Sequence, residues 1–87
     1  MSINRRFIYH APAEELIILF EDKNFLAVNK PSGLLTVPGR EPNKTDSLLT
    51  RLNKNYKDLF LVHRLDMDTS GIVIFAKDKL SQSLLSK

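Results

Sequence analysis

LFLVHRLDMDTSGIVIFAK, residues 59–77, is a polar stretch held between two apolar runs. Leu59 to Val62 leads in and Ile72 to Ala76 leads out, each short and rich in β-branched or aromatic residues, so both read as strands. Between them, His63 to Gly71 hold a histidine, an arginine, two carboxylates, two hydroxyls and a glycine. A loop that only turned the chain would not need so many reactive groups, and polar chemistry on a rigid apolar scaffold is how sites are commonly built. In an extended segment Arg64, Asp66 and Asp68 would share one side. Arg64 would favour the ionised form of Asp66 and Asp68 would oppose it. Two unit charges about 4 Å apart interact by about 4 kcal/mol at an effective dielectric of 20, but by about 1 kcal/mol in water. Enclosure therefore decides whether these groups tune one another. The plain alternative is a tight turn, with Asp66 or Asp68 bonding backbone amides and Arg64 pairing a carboxylate at the surface. For these residue types alone that is the commoner case. Thr69 and Ser70 have no adjacent base, which argues against a nucleophilic hydroxyl.

Outside this stretch the composition sets bounds. The 87 residues make at most one small domain, and a chain of this size buries only about 60–65% of its unfolded surface. A net charge of +3 is a mild basic bias; it permits phosphate contacts with a nucleic acid without requiring them. The absence of cysteine rules out disulfides and thiolate metal sites. His10 and His63 lie far apart in sequence, so no metal site is expected. The basic start, Met1 to Arg6, is followed by Pro12, Glu14 and Glu15 rather than an apolar core, which is unlike a signal peptide. The apolar run Leu16–Phe20 is far too short to span a membrane. A cytoplasmic location is the default expectation.

Along the chain, residues 1–15 lack a period and read as an irregular leader. Leu16–Phe20 and Phe25–Asn29 flank Glu21-Asp22-Lys23-Asn24, the pattern of a β-hairpin. Lys30-Pro31-Ser32-Gly33 ends the second strand, since Pro31 lacks a ladder donor and Gly33 allows positive φ; the spacing of a phosphate-binding loop is missing. Leu34 to Val37 reads as a short extended piece before the Pro38-Gly39 turn, and Arg40 to Lys44 as solvated. Asp46 or Thr45 is the expected N-cap of a helix running to about Asn55. On it Leu48, Leu49 and Leu52 make an apolar stripe while Arg51, Asn53 and Lys54 face water. Asp78 is expected to cap a last helix with Leu80, Leu84 and Leu85 on one face. The sum is an α+β fold: a small mixed or antiparallel sheet with flanking helices. The last helix wants something to pack on and the sheet has open edges, so self-association through an edge is expected, and the chain reads as the front part of something larger.

The segments ILFEDKNFLAVNKPSGLLTVPG, DSLLTRL and LVHRLDMDTSGIVIFAK resemble, in order and separation, the opening hairpin, first helix and catalytic strand-loop-strand of the RluA-type pseudouridine synthases. The Thr36-Val37-Pro38-Gly39-Arg40 wording is most similar to the small RluA branch. The resemblance implies that residues 16–87 are the N-terminal part of an incomplete catalytic domain, which in the family runs to more than twice this length. It implies Asp66 as the catalytic aspartate, acting at the ribose of a target uridine. It implies Arg64, with His63 beside it, as the group that contacts RNA and fills the space left by a flipped base. Thr69, Ser70 and Gly71 would shape the loop. No cofactor or metal is implied. The expected partner is structured RNA, a stem-loop of ribosomal RNA or tRNA. The tyrosine that stacks on the uracil and the basic residue that pairs with the aspartate have no counterpart here, Tyr9 and Tyr56 standing in other contexts. The chain alone is therefore expected to be inactive. A rival reading is an RNA-binding remnant that kept the surface without the chemistry, and another is a small structural domain in which Asp66 is only a turn residue.

Overall fold

The computed structural model of the chain describes Tyr9 and residues 11–86. His10 and the first eight residues of the expected leader lie outside the described residues; Ala11 to Leu16 carry no helix or strand. Strand β1 (Ile17–Glu21) and strand β2 (Phe25–Lys30) form the expected hairpin. Its turn is fixed by the Asp22 carboxylate, whose Oδ1 accepts the backbone N–H groups of Asn24 and Phe25, both at 2.8 Å. Short carboxylate side chains stabilise turns by capping such amides. Strand β3 (Phe60–Leu61) and strand β4 (Gly71–Ala76) complete a four-stranded sheet in the order β1-β2-β4-β3. Every pairing is antiparallel, which selects the antiparallel form of the two sheets the sequence allowed.

The β2–β4 register places Leu26 opposite Phe75 and Val28 opposite Val73. With period-two alternation these four share one face, and all are 0% exposed. Leu34, Leu48 and Leu52 close over them. Each such side chain contributes about 1.5–3 kcal/mol on burial, so this one layer is the thermodynamic centre of the molecule. At the far end of the sheet Glu21 accepts the Tyr56 hydroxyl at 2.8 Å and the Lys77 ammonium at 2.7 Å. That pin ties the end of β1 to the segments after helix and after β4.

Five local expectations are corrected. Helix α1 (Leu48–Leu52) is capped by Ser47, not by Asp46 or Thr45. The Ser47 hydroxyl accepts the Thr50 N–H at 3.0 Å, while the Asp46 carboxylate is occupied by Arg51. The helix proper ends at Leu52, and only turns continue to Asn55. Arg51 does not simply face water: besides Asp46 it holds the carbonyl oxygens of Pro12 and Glu14. Leu34 to Val37 form no strand, because the carbonyls of Leu35 and Thr36 accept the N–H groups of Leu48 and Leu49, two of the donors that a helix start leaves unpaired. The run Leu59–Val62 contributes only Phe60 and Leu61 to the sheet, half-buried. A last helix, α2 (Lys79–Leu85), is capped by Asp78 as expected, and its leucines remain open: Leu80 is 71% and Leu84 62% exposed.

Candidate active site

Where β3 leaves the sheet, the chain crosses from Val62 to Ser70 without regular structure and returns as β4. Two features begin and end this crossing. His63 Nε2 accepts the Ile74 N–H at 3.2 Å, taking the place of a strand neighbour on β4. Gly71 has φ +145°, a region L side chains rarely adopt, and a Cβ there would meet Leu65 Cδ1 at 3.4 Å. Between them the Asp66 carbonyl accepts the Thr69 N–H at 3.0 Å, closing a turn over Met67 and Asp68. The extended arrangement that would align Arg64, Asp66 and Asp68 is broken by that turn.

The loop is held through its backbone by residues from β2 and the segment after it. The Met67 carbonyl accepts the Gly33 N–H at 2.8 Å and the Lys30 ammonium at 3.0 Å. Ser32 Oγ donates to the Asp68 carbonyl at 2.8 Å. Thr36 Oγ1 donates to the Leu65 carbonyl at 2.8 Å and accepts the Leu65 N–H at 3.2 Å. Gly33 sits at φ +93°, the conformation that swings its N–H toward Met67 and that glycine adopts without strain.

Lys30 is the least expected of these. It follows Leu26 and Val28 on the inward face of β2 and is 0% exposed. Its ammonium donates to the carbonyls of Pro31 (3.1 Å), Leu34 (2.6 Å) and Met67 (3.0 Å), so all three donors are matched. Burial pushes the ammonium below the ordinary lysine value, and the charges of Asp68 and Asp66 oppose that shift. A buried cation surrounded by carbonyls is costly unless fully bonded, and here it is fully bonded.

What remains free is the chemistry. Among the described residues the side chains of Arg64, Asp66 and Asp68 are exposed and form no hydrogen bond or ion pair. The loop does contain a tight turn, closed through the backbone, but the carboxylates bond no amides in it and Arg64 pairs no carboxylate. Beside it, Asn29, Ser32 and Ser70 line an open depression of about 360 Å³ with Glu14 and Glu15; Asp66 is not part of its wall. Among the described residues no three His, Cys, Asp or Glu side chains are placed to hold a metal ion. A carboxylate on an immobilised backbone, with its own oxygens unspent, is fitted to act on a bound substrate as a nucleophile or base.

Sequence reasoning picked out the loop residues and missed Lys30, Ser32 and Thr36 as its supports. One signal was available. A lysine in phase with Leu26 and Val28 is directed at the core, and an inward lysine must find acceptors.

The geometry defines a carboxylate presented on a strand-to-strand loop at one end of an antiparallel sheet. The sequence model of the RNA pseudouridylate synthase family matches residues 24–87, and the chain belongs to that family. The dual-specificity RNA pseudouridine synthase RluA of Vibrio vulnificus (strain CMCP6) is 56% identical over 70 residues, covering 80% of this chain and 28% of the relative. Its namesake in Escherichia coli (strain K12) is 45% identical over 80 residues, 91% of this chain and 36% of the relative. The structure of human RNA pseudouridylate synthase domain containing 1 superposes with a TM-score of 0.61 at 27% identity, over 85% of this chain and 27% of that one. The chain thus spans about a third of the length of the curated relatives it matches.

Proposed function

We propose that residues 16–87 supply the catalytic loop of an RNA pseudouridine synthase, with Asp66 as the group that acts on the target uridine. The observation that carries this is the state of Asp66. Leu65 before it and Met67 after it are bonded through their backbones, while its carboxylate is exposed and unspent. In the reaction the C1′–N1 bond of the uridine breaks, the uracil turns, and a C1′–C5 bond forms. The proton on C5 leaves and N1 gains one, so the atoms balance without a cofactor. Asp66 either bonds to C1′ as N1 leaves and is displaced when C5 attacks, or takes the C2′ proton as N1 leaves and returns it when C5 bonds to C1′. Arg64, exposed at the entry to the loop, takes the space the base vacates; a flat cation suits both stacking and phosphate. The substrate is a stem-loop of ribosomal RNA or tRNA, and the setting is the cytoplasm. No helix among the described residues is long and apolar enough to cross a membrane. Residues 1–87 assayed by themselves are expected to turn over no RNA, since they match only about a third of the length of the relatives.

The test replaces the matching segment of the Vibrio vulnificus relative with this chain and counts pseudouridine in a stem-loop RNA by mass spectrometry. The chimera is expected to convert its substrate, and Asp66→Asn is expected to abolish conversion while leaving RNA affinity intact, since the amide keeps the shape and removes the reactive oxygen. Full conversion by Asp66→Asn would remove Asp66 from the mechanism. RNA binding without turnover in the chimera would favour a binding module.

A further inference from the structure

The residue just before Asp66 is bonded in an unusual way. One hydroxyl, Thr36 Oγ1, serves both backbone polar groups of Leu65, donating to the carbonyl at 2.8 Å and accepting from the N–H at 3.2 Å. Leu65 lies past the end of β3, where no strand neighbour can do this, so the side chain substitutes for one. The Leu65 side chain also packs against the core. Thr36 is itself fixed. It is 3% exposed, its carbonyl accepts the Leu49 N–H at 3.0 Å, and the carbonyl of the preceding Leu35 accepts the Leu48 N–H at 2.8 Å. The start of α1 therefore sets the position of Thr36, and Thr36 sets the position of Leu65.

We infer that Thr36 is a positioning residue for Asp66, transmitting the placement of α1 to the catalytic loop through its hydroxyl; this rests on the function proposed above. On the other side of Asp66, Met67 is held by Gly33 and Lys30. Removing the Thr36 hydroxyl frees one of these two sides and leaves the other. Asp66 then samples positions around the productive one, and displacements of about 1 Å in a reacting group cost about a hundredfold in rate. Binding of RNA, carried by cations and phosphates, does not depend on the hydroxyl.

Two variants separate this from a merely structural role. Thr36→Val keeps the shape and removes the hydroxyl; Thr36→Ser restores it. By hydrogen exchange on this chain, Thr36→Val is expected to lower protection of the Leu65 and Thr69 amides by about tenfold or more. The Val28 and Val73 amides should be unchanged, and Thr36→Ser should return the wild-type pattern. In the chimera, Thr36→Val is expected to lower kcat by about tenfold to a hundredfold with KM unchanged, and Thr36→Ser to recover most of it. Wild-type protection at Leu65 in Thr36→Val, or equal loss at Val28 and Val73, would overturn the inference, as would an unchanged kcat. An inactive parent chimera would count against the proposed function alone, and the exchange pattern would still decide whether Thr36 holds the loop.

Discussion

At the scale of the residue, Lys30 shows how a charge can be structural. Its three carbonyl partners come from its own turn and from the loop of Asp66, so the ammonium joins two segments that no strand pairing connects. Lys30→Ala removes the buried stem and leaves the Leu34 carbonyl without the ammonium that donates to it at 2.6 Å. Cavity formation and lost hydrogen bonds each cost on the order of 1–3 kcal/mol, so Lys30→Ala is expected to destabilise the chain by about 2–4 kcal/mol in urea unfolding. The control is Lys23→Ala on the exposed hairpin turn, expected to change stability by less than about 0.5 kcal/mol. Equal effects at the two positions would show that the Lys30 bonds contribute nothing net. The same logic explains why Asp66 can be exposed and still be placed: its backbone neighbours, rather than its own side chain, are what the fold holds.

At the scale of the element, α1 has only five residues, too few to be stable by itself. It forms because Ser47 caps it, Leu48 and Leu52 bury against the sheet, and the Leu35 and Thr36 carbonyls take its first N–H groups. Asp46 and Arg51 then fasten it to the segment before β1. Arg51 holds the Asp46 carboxyl below its usual range, first by hydrogen bonding and then by charge, and Lys77 with Tyr56 does the same for Glu21. A carboxylate with a depressed folded pKa stabilises the fold above its unfolded pKa, and that contribution is lost as pH falls through the folded value. The chain is therefore expected to lose stability progressively below about pH 4. Asp46→Asn should lower Tm at pH 6 and should show a smaller further loss between pH 5 and pH 3 than the parent. Parallel Tm curves for the two proteins over that range would show that the pair does not survive in solution. Both carboxylates are near the surface, so added salt should weaken the effect.

At the scale of the whole molecule, one face of the sheet is closed and much of the rest is open. Ile17 is 57%, Leu19 50% and Phe20 55% exposed on β1, and Ile72 is 55% exposed on β4. β1 is also an edge strand, with ladder groups directed away from β2. An apolar edge of that kind is a template for another strand. The isolated chain is expected to bind an apolar dye and to show a sedimentation coefficient that rises with concentration. Phe20→Lys, which puts a charge on that edge, should suppress the rise without altering the β2–β4 core. A concentration-independent monomer that binds no dye would contradict this.

Short apolar runs rich in β-branched and aromatic residues, the turn residues of the hairpin and the Asp78 cap were enough, from the sequence alone, for three of the strands, the last helix and the α+β class. These are local signals: each depends on residues a few positions apart. The nine-residue stretch from His63 to Gly71 likewise marked the loop, because no turn needs that density of polar groups. What only the tertiary structure decided lies at longer range. Asp46 looked like a cap until Arg51 occupied it, and Ser47 was then the oxygen left facing the Thr50 amide. The run Leu59–Val62 looked like a full strand, but the bend at Val62 ends its pairing and His63 takes up the Ile74 amide that a longer strand would have used. Lys30 and Thr36 looked like the end of a strand and part of an extended piece. Their roles toward the loop come from carbonyls and amides 29 to 37 residues away, and backbone groups at that distance leave no trace in the pattern of side chains that a sequence displays.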